Sequence, residues 1–305
     1  MGLRIAIFGQ ARFGREVSER LADSGHGIVG VYAPPEGERP DPLATLAGER
    51  GWKLFRHGRF RHKGCAIPEL VHEYRDLDAE LNVMPFTTVI LPSEIVDHPK
   101  HGSLCFHPSL LPAFRGGAAL AWQIILGAKE SGVTVFQAGD GVDEGPIVVQ
   151  KRGVAITGSD TTASLYFEKL YPIGVEAMVE AVNNVADGTA SFTAQGESGA
   201  SFHGLVTDEV ARIDWSRSAG EIDRLIRGCT PGPGAIASHE GEVLRLFGSR
   251  LLEGISDQPA GTVVGIEGDE LVIAASRGFI AISKIRRGEG KKLAAAGIGL
   301  SVRFD

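Results

Sequence analysis

The sequence predicts an α/β protein in which a domain with a mostly parallel sheet is followed by a smaller β-barrel domain. Three observations support this fold class. Apolar runs of strand length alternate with segments of helical spacing up to residue 186, which is the pattern of βαβ units. Residues 187–207, largely Gly, Ser, Thr and Ala, predict a linker across the surface. Residues 208–305 then hold short strands in quick succession, which is typical of a small barrel.

The chain begins with a βαβ unit. Residues 3–8 (LRIAIF) form an apolar run that ends at Gly9, so they predict a buried strand. Residues 13–24 have apolar residues at helical spacing, and residues 27–32 (GIVGVY) predict a second strand. Two strands joined by a helix pair in parallel, so we expect a sheet covered by helices on both faces.

The later elements of this domain follow from the same two patterns. Apolar residues at helical spacing predict helices, and short apolar runs bounded by Gly, Pro or charged residues predict buried strands. The predicted helices are residues 41–50, 68–74, 118–126 and 164–185. The predicted strands are residues 53–55, 81–85, 101–106, 132–138 and 147–150. These elements complete a domain that we place over residues 1–186.

The C-terminal domain has a different pattern. One helix is predicted over residues 219–227, and the turn CTPGPGA follows it. Short strands are then predicted over residues 235–238, 243–247, 261–266, 271–275 and 279–285. Close-set strands separated by Gly-containing turns predict a small barrel.

Composition and charge narrow the class of protein. The chain is 43% apolar and 23% charged, and its net charge of −7 lacks the basic surplus typical of nucleic-acid-binding proteins. Cys65, Cys105 and Cys229 are far apart and form no CxxC pair, so we expect a reducing compartment and no metal site. No apolar stretch has the roughly 18 residues of a membrane span. We therefore expect a soluble, cytoplasmic protein, and the sequence leaves its oligomeric state open.

Residues 9–14 (GQARFG) lie between the first predicted strand and helix, which is the position of a dinucleotide-binding turn. In that motif the second glycine lets the backbone approach a pyrophosphate. Ala11 stands at this position instead. Tyr32 and Ala33 stand where an acidic residue would bind the ribose. We interpret the segment as a tight strand-to-helix turn that binds no nucleotide.

The stretch CFHPSLLPAFRGG, residues 105–117, holds the first candidate catalytic group. His107 follows an apolar run and precedes Pro108, which forces an extended conformation on it. Reactive groups of open α/β sheets gather at the carboxyl ends of strands, and a histidine there can take or give a proton near neutral pH. The alternative for a lone histidine is a structural hydrogen bond to a buried carbonyl.

The turn DGVDEG, between two predicted strands, holds a candidate partner for His107. Carboxylates in such turns are usually solvated, and Asp140 fits that role. Asp143 lies deeper in the turn and would face His107 if the two strands are neighbours. A carboxylate beside an imidazole would orient it and raise its pKa. Sequence spacing alone does not bring the two side chains together.

The segments HPSLLPAFRGG and GVTVFQAGDGVDEG together resemble the signature of enzymes that use 10-formyltetrahydrofolate as formyl donor. This superfamily includes methionyl-tRNA formyltransferase and the hydrolase domain of 10-formyltetrahydrofolate dehydrogenase. IAIFGQARFG, DPLATLA and AELNVMPF are similar to the hydrolase domain, and RIDWSRSAGEIDRLIRGCTPGPGA is similar to the C-terminal domain that both groups share. The resemblance implies a Rossmann-like formyltransferase domain followed by an OB-like barrel.

The resemblance also implies roles for individual residues. His107 matches the catalytic histidine of the family and Asp143 its essential aspartate. The backbone of a short apolar segment matches the part that holds the pterin, and the loop after His107 lies beside the folate. The pterin segment consists of Val89, Ile90 and Leu91. The loop beside the folate consists of Ser109, Leu110, Leu111 and Pro112. Core packing remains the alternative role for the two leucines. Arg115, with Gly116 and Gly117, would close the turn after this loop, and a surface ion pair is its alternative role.

One position departs from the pattern of the family. Formyltransferases that resemble this chain usually carry asparagine two residues before the histidine, where its amide helps to stabilise the oxyanion. Cys105 stands there instead, and a thiol is a weak donor. The loss of one oxyanion donor typically costs ~10²–10³ in rate, so we expect protonated His107 to compensate. The hydrolase domain of the dehydrogenase lacks the asparagine too. Cys105 is thus either a weak substitute at the oxyanion position or a small buried side chain.

The resemblance leaves the formyl acceptor open. Methionyl-tRNA formyltransferases resemble one another in a basic loop after the second strand, whereas residues 33–44 (APPEGERPDPLA) are neutral or acidic here. This disfavours tRNA on electrostatic grounds. HGRFRHKG, residues 57–64, is a basic segment that fits RNA, a phosphate, the glutamate tail of folate or solvent. We expect hydrolysis of 10-formyltetrahydrofolate or transfer to a small amine, with methionyl-tRNA formylation and an inactive folate-binding protein as alternatives.

Overall fold

The computed structural model describes residues 2–300 and 302–305. The chain forms two compact units that interleave along the sequence. The first contains the chain up to Arg115, Gly132–Gly153 and Leu170–Phe202. The second contains Gly116–Ser131, Val154–Lys169 and the chain from His203 onward. Much of the predicted linker thus groups with the first unit, and the domain boundaries at residues 186 and 207 stay a prediction.

A seven-stranded sheet carries the candidate catalytic residues. Its strands are β1 (Arg4–Phe8), β2 (Gly27–Ala33), β3 (Leu54–Arg56), β6 (Leu81–Met84), β7 (Ser103–His107), β8 (Glu130–Gln137) and β9 (Ile147–Ala155), while β4 (Arg61–His62) and β5 (Cys65–Ala66) form a separate hairpin. The order across the sheet is β3-β2-β1-β6-β7-β8-β9. Pairing is parallel from β3 to β7, and β8 runs antiparallel to β7. The carboxyl ends of β1, β6 and β7 therefore meet at one edge.

The central strands are buried on both faces. Ile5, Ala6 and Ile7 follow one another in β1 and are fully buried, as helices on both sides of a parallel sheet require. Phe8 stacks on Tyr32 of β2 with ring centroids 4.5 Å apart. A polar group that ends such a strand is consequently held at the boundary between a dry interior and the carboxyl edge.

The predicted helices form, with one of them interrupted. The helices are α1 (Ala11–Asp23), α2 (Pro42–Arg50), α3 (Pro68–Arg75), α4 (Ser93–Val96), α5 (Ala119–Ile125), α6 (Thr162–Ser164), α7 (Tyr171–Ala186) and α8 (Ala219–Gly228). The short helix α4 was not predicted. The prediction of one continuous α-helix over residues 164–185 is wrong, because a π-helix at Leu165–Leu170 separates α6 from α7. Pro172, in the first turn of α7, has no N–H to continue the α-helical hydrogen bonds across this junction.

Asp41 closes the turn that follows β1. The N–H of Ala11, whose φ is 60°, donates to the Asp41 carboxylate at 2.7 Å. The other carboxylate oxygen accepts from the N–H groups of Leu43 and Ala44 and so caps α2. A carboxylate thus occupies the N-terminus of α1, where the phosphates of a dinucleotide would bind. This favours the interpretation of GQARFG as a strand-to-helix turn.

The second unit is built on an antiparallel sheet. Its strands are β10 (Ala235–His239), β11 (Glu242–Leu252), β12 (Val263–Glu267), β13 (Glu270–Ala274), β14 (Phe279–Arg287) and β15 (Leu293–Ala294). They lie in the order β10-β11-β14-β13-β12, with β15 paired to β14. A capping box between Ser218 and Glu221 starts α8, which buries Ile222 and Ile226 in the core of this unit. The sequence predicted the first five strands but neither β15 nor the 3₁₀-helix at Ala295–Ile298.

Candidate active site

His107 is the last residue of β7, a strand with neighbours on both sides. Two residues earlier, Cys105 lies opposite Met84 of β6 and Phe136 of β8. The side chain of His107 is only 6% exposed. The strand therefore delivers the imidazole to the carboxyl edge of the sheet while its neighbours exclude most water from it.

Asp143 lies beside this imidazole. It belongs to the loop between β8 and β9, and its Oδ2 is 3.5 Å from Nδ1 of His107. The Asp143 side chain is 16% exposed, so it reaches solvent more than the imidazole does. Its φ of 58° is in the left-handed region, which aspartate tolerates better than most residues. The structure thus brings together the two side chains that the sequence analysis paired, 36 residues apart along the chain.

The carbonyl of Phe114 fixes the tautomer of His107. Nε2 of the imidazole donates to this oxygen at 2.8 Å, so the neutral ring carries its proton on Nε2 and its lone pair on Nδ1. Burial lowers the pKa of His107, while the Asp143 carboxylate and the Phe114 carbonyl partly offset that effect. Nδ1 and the carboxylate are then two acceptors facing each other, an arrangement suited to hold a proton taken from a third group.

Two polar residues that the sequence analysis missed support the loop after His107. The hydroxyl of Thr134 donates to the carbonyl of Ser109 at 2.7 Å and accepts from the N–H of Leu111 at 3.2 Å. The Gln150 amide donates to the carbonyl of Leu111 at 2.9 Å and to the Thr134 hydroxyl at 3.0 Å. Thr134 is fully buried in β8. Thr134 is the polar residue in the otherwise apolar run GVTVF, and this pattern could have indicated from the sequence that its hydroxyl has a structural role.

The loop over residues 109–112 is largely occupied by its own packing. The hydroxyl of Ser109 donates to the carbonyl of Ala113 at 2.7 Å, and Leu111 is 1% exposed. Leu110 and Pro112 are half-buried. Leu111 therefore has the core-packing role that was the alternative to ligand contact, whereas Leu110 and Pro112 keep surface that a ligand can reach.

The segment predicted to hold a pterin follows β6. Ile90 is 71% exposed, Val89 is half-buried and Leu91 is buried. Nη2 of Arg61 donates to the carbonyl of Leu91 at 2.9 Å. One residue of the basic segment HGRFRHKG thus holds this backbone in place, a role that the sequence did not predict.

Cys105 lacks the properties of a nucleophile. Burial and the nearby Asp143 carboxylate raise the pKa of its thiol well above neutral pH. The thiol donates a weak hydrogen bond to the carbonyl of Phe106 at 3.8 Å. The geometry favours a small packing side chain at this position.

A cleft of about 120 Å³ opens where β1 and β6 end. It is lined by Gly9 and Gln10 after β1, by Phe86 and Val89 after β6, and by Tyr32. The chain turns to opposite sides of the sheet at β1, and open α/β sheets bind ligands at such a switch point. Burial and the nearby Glu73 carboxylate raise the pKa of the Tyr32 hydroxyl. His107 and Asp143 are not among the residues that line this cleft.

Within residues 2–300 and 302–305, no three His, Cys, Asp or Glu side chains converge to hold a metal ion. Among the same residues, no helix combines the length and apolarity that crossing a bilayer requires. The metal-free reaction and the cytoplasmic location stay predictions.

The sequence matches two protein families. The formyl transferase family matches residues 3–182, and the formyl transferase C-terminal domain matches residues 205–300. The mitochondrial 10-formyltetrahydrofolate dehydrogenase of Mus musculus is 43% identical over 267 residues, which are 87% of this chain and 29% of that protein. The methionyl-tRNA formyltransferase of Caldanaerobacter subterraneus subsp. tengcongensis is 29% identical over 95% of this chain and 94% of that protein. The chain thus spans less than a third of the dehydrogenase.

Solved structures share the fold. HypX from Aquifex aeolicus, in complex with tetrahydrofolic acid, has a TM-score of 0.69 and 22% identity over 98% of this chain and 47% of that chain. The N-formyltransferase from Helicobacter canadensis has a TM-score of 0.69 and 17% identity over 95% of this chain and 100% of that chain. The family and structural matches confirm the resemblance and the fold class that the sequence predicted.

Proposed function

Because the chain belongs to the formyl transferase family, we propose that it removes the formyl group from 10-formyltetrahydrofolate, with water or a small amine as acceptor and tetrahydrofolate as product. The pair of His107 and Asp143, 3.5 Å apart at the carboxyl edge of the sheet, carries this proposal. The donor is supported by the dehydrogenase relatives, whose name contains it, and by HypX, which was solved with tetrahydrofolic acid. The folate is a substrate, and the proposed reaction uses no metal.

The first step forms a bond between the nucleophile and the formyl carbon. Asp143 helps to deprotonate the attacking water or amine, and Nδ1 of His107 takes up the proton. The carboxylate at 3.5 Å stabilises the imidazolium that results. The formyl oxygen becomes an oxyanion. The imidazolium stabilises it as a charged hydrogen-bond donor, because Cys105 stands at the position where an asparagine amide would otherwise donate.

The second step breaks the bond between the formyl carbon and N10 of the folate. Nδ1 of His107 donates its proton to N10 as that nitrogen leaves. An amine acceptor then gives a formamide, and water gives formic acid, which ionises to formate by releasing its own proton to solvent. The proton lost by the nucleophile is the one gained by tetrahydrofolate, so the pair returns to its starting state. The hydrogen bond from Nε2 to the Phe114 carbonyl keeps the exchange on Nδ1.

The folate would bind along the backbone of Val89, Ile90 and Leu91. Arg61 holds the Leu91 carbonyl, which reduces the entropy that this segment loses on binding. Leu110 and Pro112 offer half-buried surface to the flat pterin.

A methionyl-tRNA formyltransferase is the second candidate, because a relative of that name covers 95% of this chain. The net charge of −7 and the neutral or acidic segment over residues 33–44 oppose a polyanionic acceptor. A folate-binding protein without activity is opposed by the close approach of His107 and Asp143.

Turnover of 10-formyltetrahydrofolate by the purified protein tests the proposal. Release of tetrahydrofolate without an added acceptor supports the hydrolase, and release only with charged initiator tRNA supports the second candidate. Binding without release supports an inactive folate-binding protein. If His107→Ala leaves the release unchanged, the assignment of the catalytic pair is wrong.

A further inference from the structure

A segment outside regular secondary structure crosses the loops that surround His107. We call residues 190–202 the strap. Over residues 191–199 every side chain or glycine is exposed except Gln195, which is half-buried. One partly buried polar side chain in an otherwise exposed segment indicates a specific contact.

The amide of Gln195 makes four hydrogen bonds. Nε2 donates to the carbonyls of Asp143 and Gly145, both at 2.8 Å. Oε1 accepts from Nε and Nη2 of Arg115 at 3.2 and 2.9 Å. Carbonyls only accept and a guanidinium only donates, so these partners fix the orientation of the amide. Gln195 thereby joins the loop that carries Asp143 to the end of the loop that follows His107.

Ser201 holds the other side of the imidazole. Its hydroxyl accepts from the N–H of Phe114 at 2.8 Å. Its backbone accepts from the N–H of Arg115 at 2.8 Å and donates to the carbonyl of Pro112 at 3.1 Å. The Phe114 carbonyl is the acceptor for Nε2 of His107 and so determines the tautomer of the imidazole. Ser201 holds Phe114 in the position that this hydrogen bond requires.

The two residues that flank the imidazole both need such support. Asp143 has a φ of 58° and Phe114 a φ of 61°, in a region that costs non-glycine residues free energy unless the surroundings hold them there. Gln195 bonds to the backbone of the first and Ser201 to the backbone of the second. The strap thus contacts the backbone of both partners of His107.

We propose that Gln195 and Ser201 are positioning residues for the reaction, because they hold Asp143 and the Phe114 carbonyl on opposite sides of the imidazole. Neither touches the imidazole, so both act through its partners. A displacement of about 1 Å in a catalytic group can cost ~10²-fold in rate. The strap variants are therefore expected to lose kcat while KM for the folate changes little.

Three variants separate this role from a general effect on folding. Gln195→Glu keeps an acceptor for Arg115 but has no donor for the two loop carbonyls, Gln195→Leu removes both functions, and Ser201→Ala removes the acceptor for Phe114. Ser198→Ala, at an exposed position of the same strap, is the matched control. We expect a 10- to 100-fold loss of kcat in the three variants, with KM within threefold, and wild-type values in the control.

The kinetic arm rests on the proposed function, so a second readout uses no substrate. NMR of ¹⁵N-labelled histidine, assigned with His107→Ala, follows the titration of His107. Gln195→Leu and Ser201→Ala should lower the pKa of His107 further, because each releases a neighbour that favours the charged ring. Wild-type kcat and an unchanged titration in the folded strap variants overturn the inference. A wild-type protein without turnover, combined with shifted titrations, overturns the proposed function and leaves the positioning role standing.

Discussion

The substitution Asp143→Asn isolates the charge of the catalytic pair. Asparagine has nearly the shape of aspartate and tolerates a φ of 58°, so the backbone of the loop is retained. Unit charges 3.5 Å apart attract by about 5 kcal/mol at an effective dielectric constant of about 20. The carboxylate is 16% exposed, and solvent reduces the expected loss of transition-state stabilisation to about 3–4 kcal/mol. We therefore expect kcat to fall by about 10²- to 10³-fold.

Single-turnover release of tetrahydrofolate from 10-formyltetrahydrofolate measures this loss directly. The same preparation should keep the thermal unfolding midpoint of the wild type within a few degrees, because the substitution preserves size and hydrogen-bonding capacity. Asp140→Asn, in the exposed part of the same loop, serves as the control and should retain the wild-type rate. A loss of less than tenfold in Asp143→Asn would refute the role of its charge in stabilising the imidazolium.

Three further predictions concern buried groups of the protein. Burial lowers the pKa of His107, so the folded state binds fewer protons than the unfolded state. The thermal unfolding midpoint should therefore decrease as the pH is lowered below about 6.5, the pKa of a histidine in an unfolded chain. His107→Gln should make this decrease smaller, and an identical decrease in the variant contradicts the prediction. Iodoacetamide should modify Cys65 but neither Cys105 nor Cys229 in the native protein, because burial raises the pKa of both thiols; mass spectrometry showing labelled Cys105 contradicts this. Thr134→Val should lower the free energy of unfolding by about 2 kcal/mol, because a buried N–H loses its acceptor; an unchanged denaturation midpoint contradicts it.

The fold could be predicted where patterns are local. The apolar runs of β1 and β7 and the helical spacing of α1 specify their own conformation, and the predicted strands of the sheet form within a few residues of the expected bounds. The π-helix at Leu165–Leu170 was missed because its periodicity is close to that of an α-helix over so short a length. The interleaving of the two units arises from tertiary packing, which no local pattern encodes.

The candidate site was predictable only in its side chains. Motif and resemblance indicated His107 and Asp143, and the structure places them together. The Phe114 carbonyl and the contacts of Gln195 depend on backbone groups brought together by folding, and backbone groups leave no mark in composition. Gln195 even lay in a segment interpreted as a linker, because its neighbours are small and polar.

A crystal structure of the protein with bound 5-formyltetrahydrofolate, a stable isomer of the proposed donor, tests the central assignment most directly. We expect the pterin along the backbone of residues 89–91 and the formyl end of the ligand beside His107 and Asp143, within about 4 Å of Nδ1. A folate bound elsewhere, with its formyl group remote from that imidazole, would contradict the account.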